Sequence, residues 1–281
     1  MNSKRRLDEL LFDLGLSESR TKGAALIKNG KVTVDGMIVV KPSHKVDSDK
    51  EIVVMDPIMP VGRGYFKLRK AIDAFEINVE GKRVIDVGAS TGGFAQLLLE
   101  KGADRVLCVD VGRNQISHRI KDDERVVSLE STDIRGLTLE QAGGKADLLT
   151  ADLSFISTVT VAGLLRSFLE DGGEAVVLVK PQFEAGPGVV KKGLVNSRNA
   201  HVEILEAFVK AFRTNDLFPV GLTFSPIRGK KGNIEYLLYS VVEERSFEFD
   251  YERLVEEAFG FFDRDSSYKV EGRENPGSAK G

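Results

Sequence analysis

The sequence has no tryptophan, a single cysteine and only three histidines. One cysteine, Cys108, cannot close an internal disulfide, which fits a reducing cytoplasm. Scattered histidines supply no cluster of zinc ligands, so no metal site is expected. No apolar run approaches the roughly 18 residues that would span a bilayer. The opening "MNSKRRLDELLFDLGLS" is positively charged but has no uninterrupted apolar core of the kind a signal peptide carries. Positive charge is not in excess either. Forty Lys and Arg stand against 43 Asp and Glu, a net of −3, which by itself offers no support for nucleic-acid binding. What is present is a chain of 281 residues, 42% apolar and 30% charged, consistent with a globular protein of about two domains.

Residues 1–55 form one compositional unit. "RLDELLFDLGL" places Leu7, Leu10, Leu11, Leu14 and Leu16 at helical spacing. Ser17 or Ser19 would cap a second helix over 20–28, ended by Asn29-Gly30. "KVTVDGMIVV" reads as two strands joined at Asp35-Gly36, and "VDSDKEIVVM" as a further strand. The Pro- and Gly-bearing "DPIMPVGRG" marks a linker at 56–63.

From 64 to 242 a helical segment precedes a regular alternation. Strands are expected at 84–87, 106–109, 126–129, 148–151 and 175–179, with helices at 94–101, 114–121, 138–142 and 158–169 between them. Continuous apolar strands of this kind belong to a parallel sheet covered on both faces. The fold class is therefore α/β and doubly wound. After a helix at 202–212, "VGLTFS" and "EYLLYSVV" are joined by a loop too short for a crossover helix, so the last strand should be antiparallel. That ending is typical of the Rossmann-like sheet of S-adenosylmethionine-dependent methyltransferases. "YERLVEEAFGFF" reads as an acidic amphipathic helix within 243–264, and 265–281 as a mobile tail.

The stretch "VIDVGASTGGF" ends the first of these strands. Gly88, Gly92 and Gly93 let backbone approach a ligand, and the helix that follows offers unpaired N–H groups. Asp110 ends the next strand 22 residues after Gly88, the place of a carboxylate that accepts ribose hydroxyls. The glycine spacing is not that of a pyrophosphate grip, so an adenosine with an amino-acid tail fits better than a dinucleotide. Asp86 in the turn would hold the tail's ammonium; Asp133 with Ile134 would receive the adenine, or Asp133 would serve only as a cap or turn former.

"TADLSFIS" and "VLVKPQFE" end the next two strands with Asp152 and Lys180. An ammonium after three apolar residues is costly to bury unless paired. Such a pair is often only structural. The sharper reading joins them to Lys67 and Glu235. A lysine, ordinarily near a pKa of about 10.4, can serve as a base where burial and a neighbouring cation favour its neutral form. Lys180 would be that base and Lys67 the neighbouring cation. Asp152 would orient Lys180 beside the methyl donor, and Glu235 would hold Lys67 and the substrate sugar.

The stretches "KL" after "GYF", "DVGASTGGF", "CVDVG", "ADLSFIS", "LVKPQFE" and "GNIEYLL" resemble the TlyA family over about residues 4–241. These are FtsJ-type ribosomal RNA 2′-O-methyltransferases, some of them named haemolysin A. The resemblance implies a Lys-Asp-Lys-Glu tetrad at Lys67, Asp152, Lys180 and Glu235. It implies S-adenosylmethionine as cofactor, with contacts at Asp86, Gly88, Ser90, Gly92, Gly93, Asp110 and Asp133. Cytidine in ribosomal RNA or a ribosomal subunit is the implied substrate. Asp133 stands where relatives often have Asn, and "GRNQI" replaces a more usual aromatic-containing turn.

Residues 1–55 resemble the RNA-binding fold of the ribosomal protein S-four type, through "RLDELL" and "ESRTKGAALIKNGKVTVDG". Arg5, Arg6, Arg20, Lys22, Lys28 and Lys31 could then meet phosphates. Residues 1–60 carry ten basic against nine acidic side chains, so any positive face must arise by segregation. Arg228, Lys230 and Lys231 in "RGKKG", and Lys191 and Lys192 in "GVVKKG", flank the proposed catalytic groups and form a second candidate RNA surface. A membrane-damaging haemolysin and a non-catalytic RNA-binding assembly factor are the alternatives. The acidic C-terminal helix disfavours anionic lipid, and the filled tetrad disfavours the second alternative. Oligomeric state is not legible.

Overall fold

The computed structural model describes residues 4–17, 19–47, 50–54 and 60–264. The expected tail and half of the expected linker, 56–59, lie outside these residues. Contacts group the chain into a small unit, made of residues up to 56 with the described residues from Phe261, and a larger one, Pro57–Gly260.

In the small unit β1 (Arg5–Arg6) runs into α1 (Leu7–Asp13), followed by α2 (Arg20–Lys28), β2 (Val32–Val34), β3 (Met37–Ile38), β4 (Lys45–Val46) and β5 (Ile52–Val54). Leu7, Leu10 and Leu11 of α1 pack with Ile27, Val32, Val34, Val39 and Val46. Leu14 and Leu16, expected on the same face, are exposed, because the helix stops before Gly15 at φ +69°. Ser19 caps α2, accepting from the N–H of Lys22 at 3.2 Å. Asp35 and Gly36 both have positive φ, as the tight antiparallel turn between β2 and β3 requires. Strand β5 pairs with the other edge of β2, while the β1–β4 pairing has no signal in so short a sequence.

The larger unit opens with α3 (Gly64–Phe75), then β6 (Arg83–Val87), α4 (Gly93–Glu100), β7 (Arg105–Val109), α5 (His118–Lys121) and β8 (Val126–Leu129). A single 3-10 turn, Ile134–Gly136, leads to α6 (Leu139–Ala142) and β9 (Ala146–Ala151). A second, Thr158–Val161, leads to α7 (Ala162–Ser167), β10 (Leu169–Val179), α8 (Pro181–Glu184) and α9 (Arg198–Arg213). The chain closes with β11 (Phe218–Phe224), β12 (Tyr236–Val241) and α10 (Tyr251–Arg264). The helix expected over 114–121 shortens to α5, since Asn114 adopts a left-handed φ of +55°. The helix expected through 169 ends at Ser167, and Leu169 already belongs to β10.

Seven strands form one sheet in the order β11-β12-β10-β9-β6-β7-β8. Strands β6 to β10 are parallel, and β12 is antiparallel to both β10 and β11. Strand order reverses beside β6, with β7 and β8 on one side and β9 and β10 on the other. Ligands of open α/β sheets sit beyond the strand ends at such a crevice. The core runs through Val84, Val106, Leu148 and Val176 and the buried face of α4, including Leu97 and Leu98. Each fully buried aliphatic side chain there contributes about 1.5–3 kcal/mol.

Candidate active site

At the end of β6 the chain turns through Gly88, at φ +83°. A Cβ there would lie 2.6 Å from the carbonyl oxygen of Asp152, so only glycine allows the ends of β6 and β9 to meet this closely. Gly92 also has a positive φ, and a Cβ on Gly93 would press on the backbone N of Tyr65 at 2.9 Å. Between them Ser90, at φ +49°, turns its N–H toward Asp110. Strained backbone of this kind persists where surrounding bonds hold it. The Asp110 carboxylate accepts from Ser90 N–H at 2.7 Å and from Gly112 N–H at 2.6 Å. Both carboxylate oxygens are thus fixed by backbone N–H groups, and Asp110 stays half-buried at the end of β7.

Asp86 lies in β6 itself rather than in the turn, and it is fully buried. Thr150 Oγ1 donates to its Oδ1 at 2.8 Å, while Oδ2 has no partner. Burial pushes the Asp86 carboxyl up to about 7, assisted by the charges of Asp152 and Asp110 and opposed by the Thr150 hydrogen bond. An orphaned carboxylate oxygen beneath the glycine turn fits a cationic group above it. Asp133 caps the 3-10 turn and is held by the N–H and guanidinium of Arg135, which bring its carboxyl down to about 2. Ile134 is only 3% exposed and has little surface to lie along an adenine. An exposed apolar side chain next to this acid is Val111, 71% exposed directly after Asp110, which the sequence reading missed. Taken together, these acids and the glycine turn fit S-adenosylmethionine.

Four charged groups converge on the same edge of the sheet. Asp152 follows the last residue of β9, and Lys180 the last residue of β10. Glu235 precedes β12, whose antiparallel direction starts it where the parallel strands finish. Lys67 comes from the first turn of α3. Lys180 Nζ is 2.5 Å from Asp152 Oδ1 and donates to Ser154 Oγ at 2.7 Å. Lys67 Nζ is 3.5 Å from Asp152 Oδ2 and 2.7 Å from Glu235 Oε2. Cation and anion thus alternate along the row. Lys67, Lys180 and Glu235 are buried, while Asp152 keeps partial exposure. Burial works to lower the Lys67 pKa, but Asp152 and Glu235 outweigh it and raise it, so Lys67 stays an ammonium. The same two lysines overcome burial to hold the Asp152 carboxyl below its usual range.

Ser154 and Thr150, the direct partners of Lys180 and Asp86, were absent from the sequence reading, as was Phe155. That residue is 91% exposed and left-handed, φ +68°. Such a φ is an outlier for a bulky side chain. Its ring lies 5.5 Å from that of Phe183, over which the Lys180 ammonium sits at 5.9 Å. Glu184 ties the two loops, accepting from Ser157 Oγ at 2.5 Å and Thr158 N–H at 2.7 Å.

The basic candidates divide. Arg6 pairs with Asp8, a nearly buried carboxylate, through contacts of 2.9 and 2.7 Å, and so also anchors the start of α1. Arg5 pairs with Asp13, and Arg20 with Glu9 at 2.7 Å, both exposed and readily exchanged. Lys22 and Lys28 are exposed and Lys31 is half-buried. Arg228 donates to Gly232 O at 2.7 Å and so shapes its own loop. Lys230 and Lys231 are exposed beside it.

The small unit matches the S4 domain over residues 5–52. Over 242 residues the chain is 43% identical to a 16S/23S rRNA (cytidine-2'-O)-methyltransferase, TlyA, of Mycobacterium tuberculosis, covering 85% of this chain and 90% of that one. It is 38% identical to Hemolysin A of Brachyspira hyodysenteriae, over 84% of this chain and 100% of that one. Among the described residues no helix is long and apolar enough to cross a membrane. A solved structure named as a hemolysin, from Streptococcus thermophilus, superposes with a TM-score of 0.71 at 34% identity, covering 94% of this chain and 98% of that one. Residues 60–241, which carry the glycine turn and all four charged groups, match the FtsJ-like methyltransferase model, and the chain belongs to that family.

Proposed function

We propose that this chain transfers the methyl group of S-adenosylmethionine to a ribose 2′-hydroxyl of ribosomal RNA, with cytidine as the target nucleoside. The observation that carries the reading is the alternating Lys180–Asp152–Lys67–Glu235 row, whose Asp152 backbone meets the glycine turn at Gly88. The names of the relatives support the nucleoside, and the S4 domain supports an RNA or ribosomal partner. Such an enzyme works in the cytoplasm, where ribosomes are made.

Asp110 takes the ribose hydroxyls of the cofactor, Asp133 its adenine amino group, and Asp86 stands beneath its ammonium. Gly88, Ser90, Gly92 and Gly93 shape the seat. The bound cofactor supplies a methyl group on a sulfonium, a good leaving group that needs no further activation. Lys180 Nζ takes the 2′-hydroxyl proton as oxygen attacks the methyl carbon. Asp152 and Ser154 fix the lysine's direction, and Lys67 is locked by Glu235 near the sugar, so catalysis is positioning plus proton removal. Phe155, with Phe183 beside it, presents an aromatic face on which the target base stacks. Lys28, Lys31, Lys230 and Lys231 meet phosphates, joined by Arg5, Arg20 and Lys22.

Lys180→Ala is the test. Methyl transfer from tritiated cofactor to ribosomal RNA should fall below about a hundredth of the wild-type rate, the range general-base removal covers. Cofactor affinity by calorimetry should stay within about twofold. Equal loss of both would assign Lys180 to the cofactor and refute its role as base.

A further inference from the structure

Behind Glu235 lies a group of buried polar side chains that proton removal does not use. Asn233, 2% exposed, donates through Nδ2 to Gly193 O at 2.8 Å and accepts at Oδ1 from Val195 N–H at 3.0 Å. Its backbone carbonyl accepts from Gly229 N–H at 2.8 Å. His201, fully buried on α9, contacts Val195 O through Nε2 at 2.9 Å and the Tyr236 hydroxyl through Nδ1 at 2.8 Å. A carbonyl can only accept, so Nε2 carries the proton and Nδ1 accepts from Tyr236. Every polar atom of this imidazole is therefore satisfied in its neutral form, the form burial favours.

These bonds fasten two loops together. In the first, Lys191 and Leu194 exchange N–H···O bonds of 2.9 and 3.0 Å around Lys192 at φ +52° and Gly193 at φ +81°. That tight turn leaves Lys191 and Lys192 exposed. The second carries Lys230 and Lys231, also exposed, and the Lys231 side chain lies over Gly193, where a Cβ would meet its Cδ at 3.2 Å. None of the four lysines has an ion pair to a carboxylate among the described residues. The second loop also covers the catalytic carboxylate, since a Cβ on Gly229 would collide with Glu235 Oε1.

We propose that Asn233 is a positioning residue: bonded to Val195, whose carbonyl is held in turn by His201 with Tyr236 behind it, it makes the two lysine loops one cradle for RNA phosphates and fixes that cradle over Glu235. The identity of the ligand rests on the RNA reading above. Four ammonium groups on a rigid frame lose less freedom on meeting a phosphate chain than four on loose loops. Loosening the frame weakens their grip without removing a charge.

Binding of the full chain to a single-stranded RNA oligonucleotide, with no methyl donor present, should be followed across a salt series. Each phosphate contact contributes about 0.7 to the slope of log K against log salt. The double variant Lys191→Ala/Lys192→Ala should lower the slope by about 1.4. Asn233→Ala should lower it by a similar amount although it removes no charge, and adding it to the double variant should lower it little further. A residue that only stabilises the fold would reduce the melting temperature and leave the slope intact. An unchanged slope, or fully additive losses, overturns the proposal. Should Asn233→Ala not fold, Tyr236→Phe, which removes one hydroxyl, decides the matter by the same slope. None of these readings needs turnover. A wild type that binds RNA but methylates none would therefore overturn the proposed activity while leaving Asn233 to be judged separately.

Discussion

Asp152→Asn changes one oxygen to a nitrogen and removes the anion that both lysines share. In the wild type two ammonium groups face two carboxylates, and the set is neutral. In the variant Glu235 alone opposes both cations, in a place where the lysine side chains are only 8 and 9% exposed. Breaking a buried pair by removing one partner costs about 3–5 kcal/mol. A second limit comes from the lysine, which can shed its proton. Doing so at pH 7 from an ordinary value of about 10.4 costs about 4.6 kcal/mol, at 1.36 kcal/mol per unit. The two figures agree, so the loss should lie near 3–5 kcal/mol and cannot much exceed the upper value. For a unit of this size that is a fall of roughly 10 °C in melting temperature.

The sign of the pH dependence separates this reasoning from a simple packing defect. Wild-type Lys67 is raised above its ordinary value, so its contribution is complete below about pH 10.4 and is lost only as pH rises through the folded value. In the variant a buried lysine is depressed. Between that folded value and about 10.4 the unfolded chain then binds more protons, and stability rises with pH. Urea unfolding at pH 7, 8 and 9 should show the gap between wild type and variant narrowing by up to about 1.4 kcal/mol per unit. A gap that stays flat with pH, or is below about 1 kcal/mol at pH 7, would refute the view that Asp152 holds two buried charges.

Phe155→Ala should raise the KM for RNA by about 5- to 150-fold, the 1–3 kcal/mol of one stacked base, with melting temperature unchanged because the ring is exposed; an unaltered KM would remove it from the substrate site. Asp86→Asn tests the buried acid. A carboxyl raised from its ordinary range to about 7 binds more protons folded than unfolded, so stability falls as pH rises from about 4 to 7. The amide copies the neutral form, and the variant should flatten that slope by roughly 3–4 kcal/mol across the window while weakening cofactor binding in calorimetry. A pH–stability curve identical to wild type would contradict the raised value.

How much of this was legible in the sequence depended on the range of the interaction. Strands β6 to β10 were readable because burial on both faces leaves a continuous apolar run whatever the neighbours are. The direction of β12 followed from a loop too short to cross the sheet, and that one deduction placed Glu235 on the same edge as Asp152 and Lys180. Other features depend on packing that no local pattern encodes. Leu16 fits the helical spacing of α1, yet the chain leaves the helix before it. Arg6 and Arg228 read as bare positive charge in a count, and only the fold shows their partners, Asp8 and the Gly232 carbonyl. Asn233 and His201 sit 32 residues apart in sequence order, and only the folded sheet reveals the loop they both hold. Phe155 gave no signal because exposure and a left-handed backbone are properties of the fold.

On the proposed reaction, the alternating row accounts for two lysines where one would accept the proton. Take Lys180 as the neutral base: Asp152, Lys67 and Glu235 then sum to −1, which a donor carrying +1 on sulfur cancels. After transfer the sulfur is neutral and Lys180 has gained the proton, so the sum is again zero. With the donor bound, these residues would let positive charge pass to the Lys180 nitrogen without creating a net buried charge, whose cost would otherwise enter the barrier. Removing the Lys67 cation would leave the reactant arrangement at −1 beside the attacking oxygen. On the proposed reaction Lys67 would hold the charge constant and Lys180 would take the proton. Of the two, only Lys67 touches both carboxylates, Asp152 and Glu235, within 4 Å.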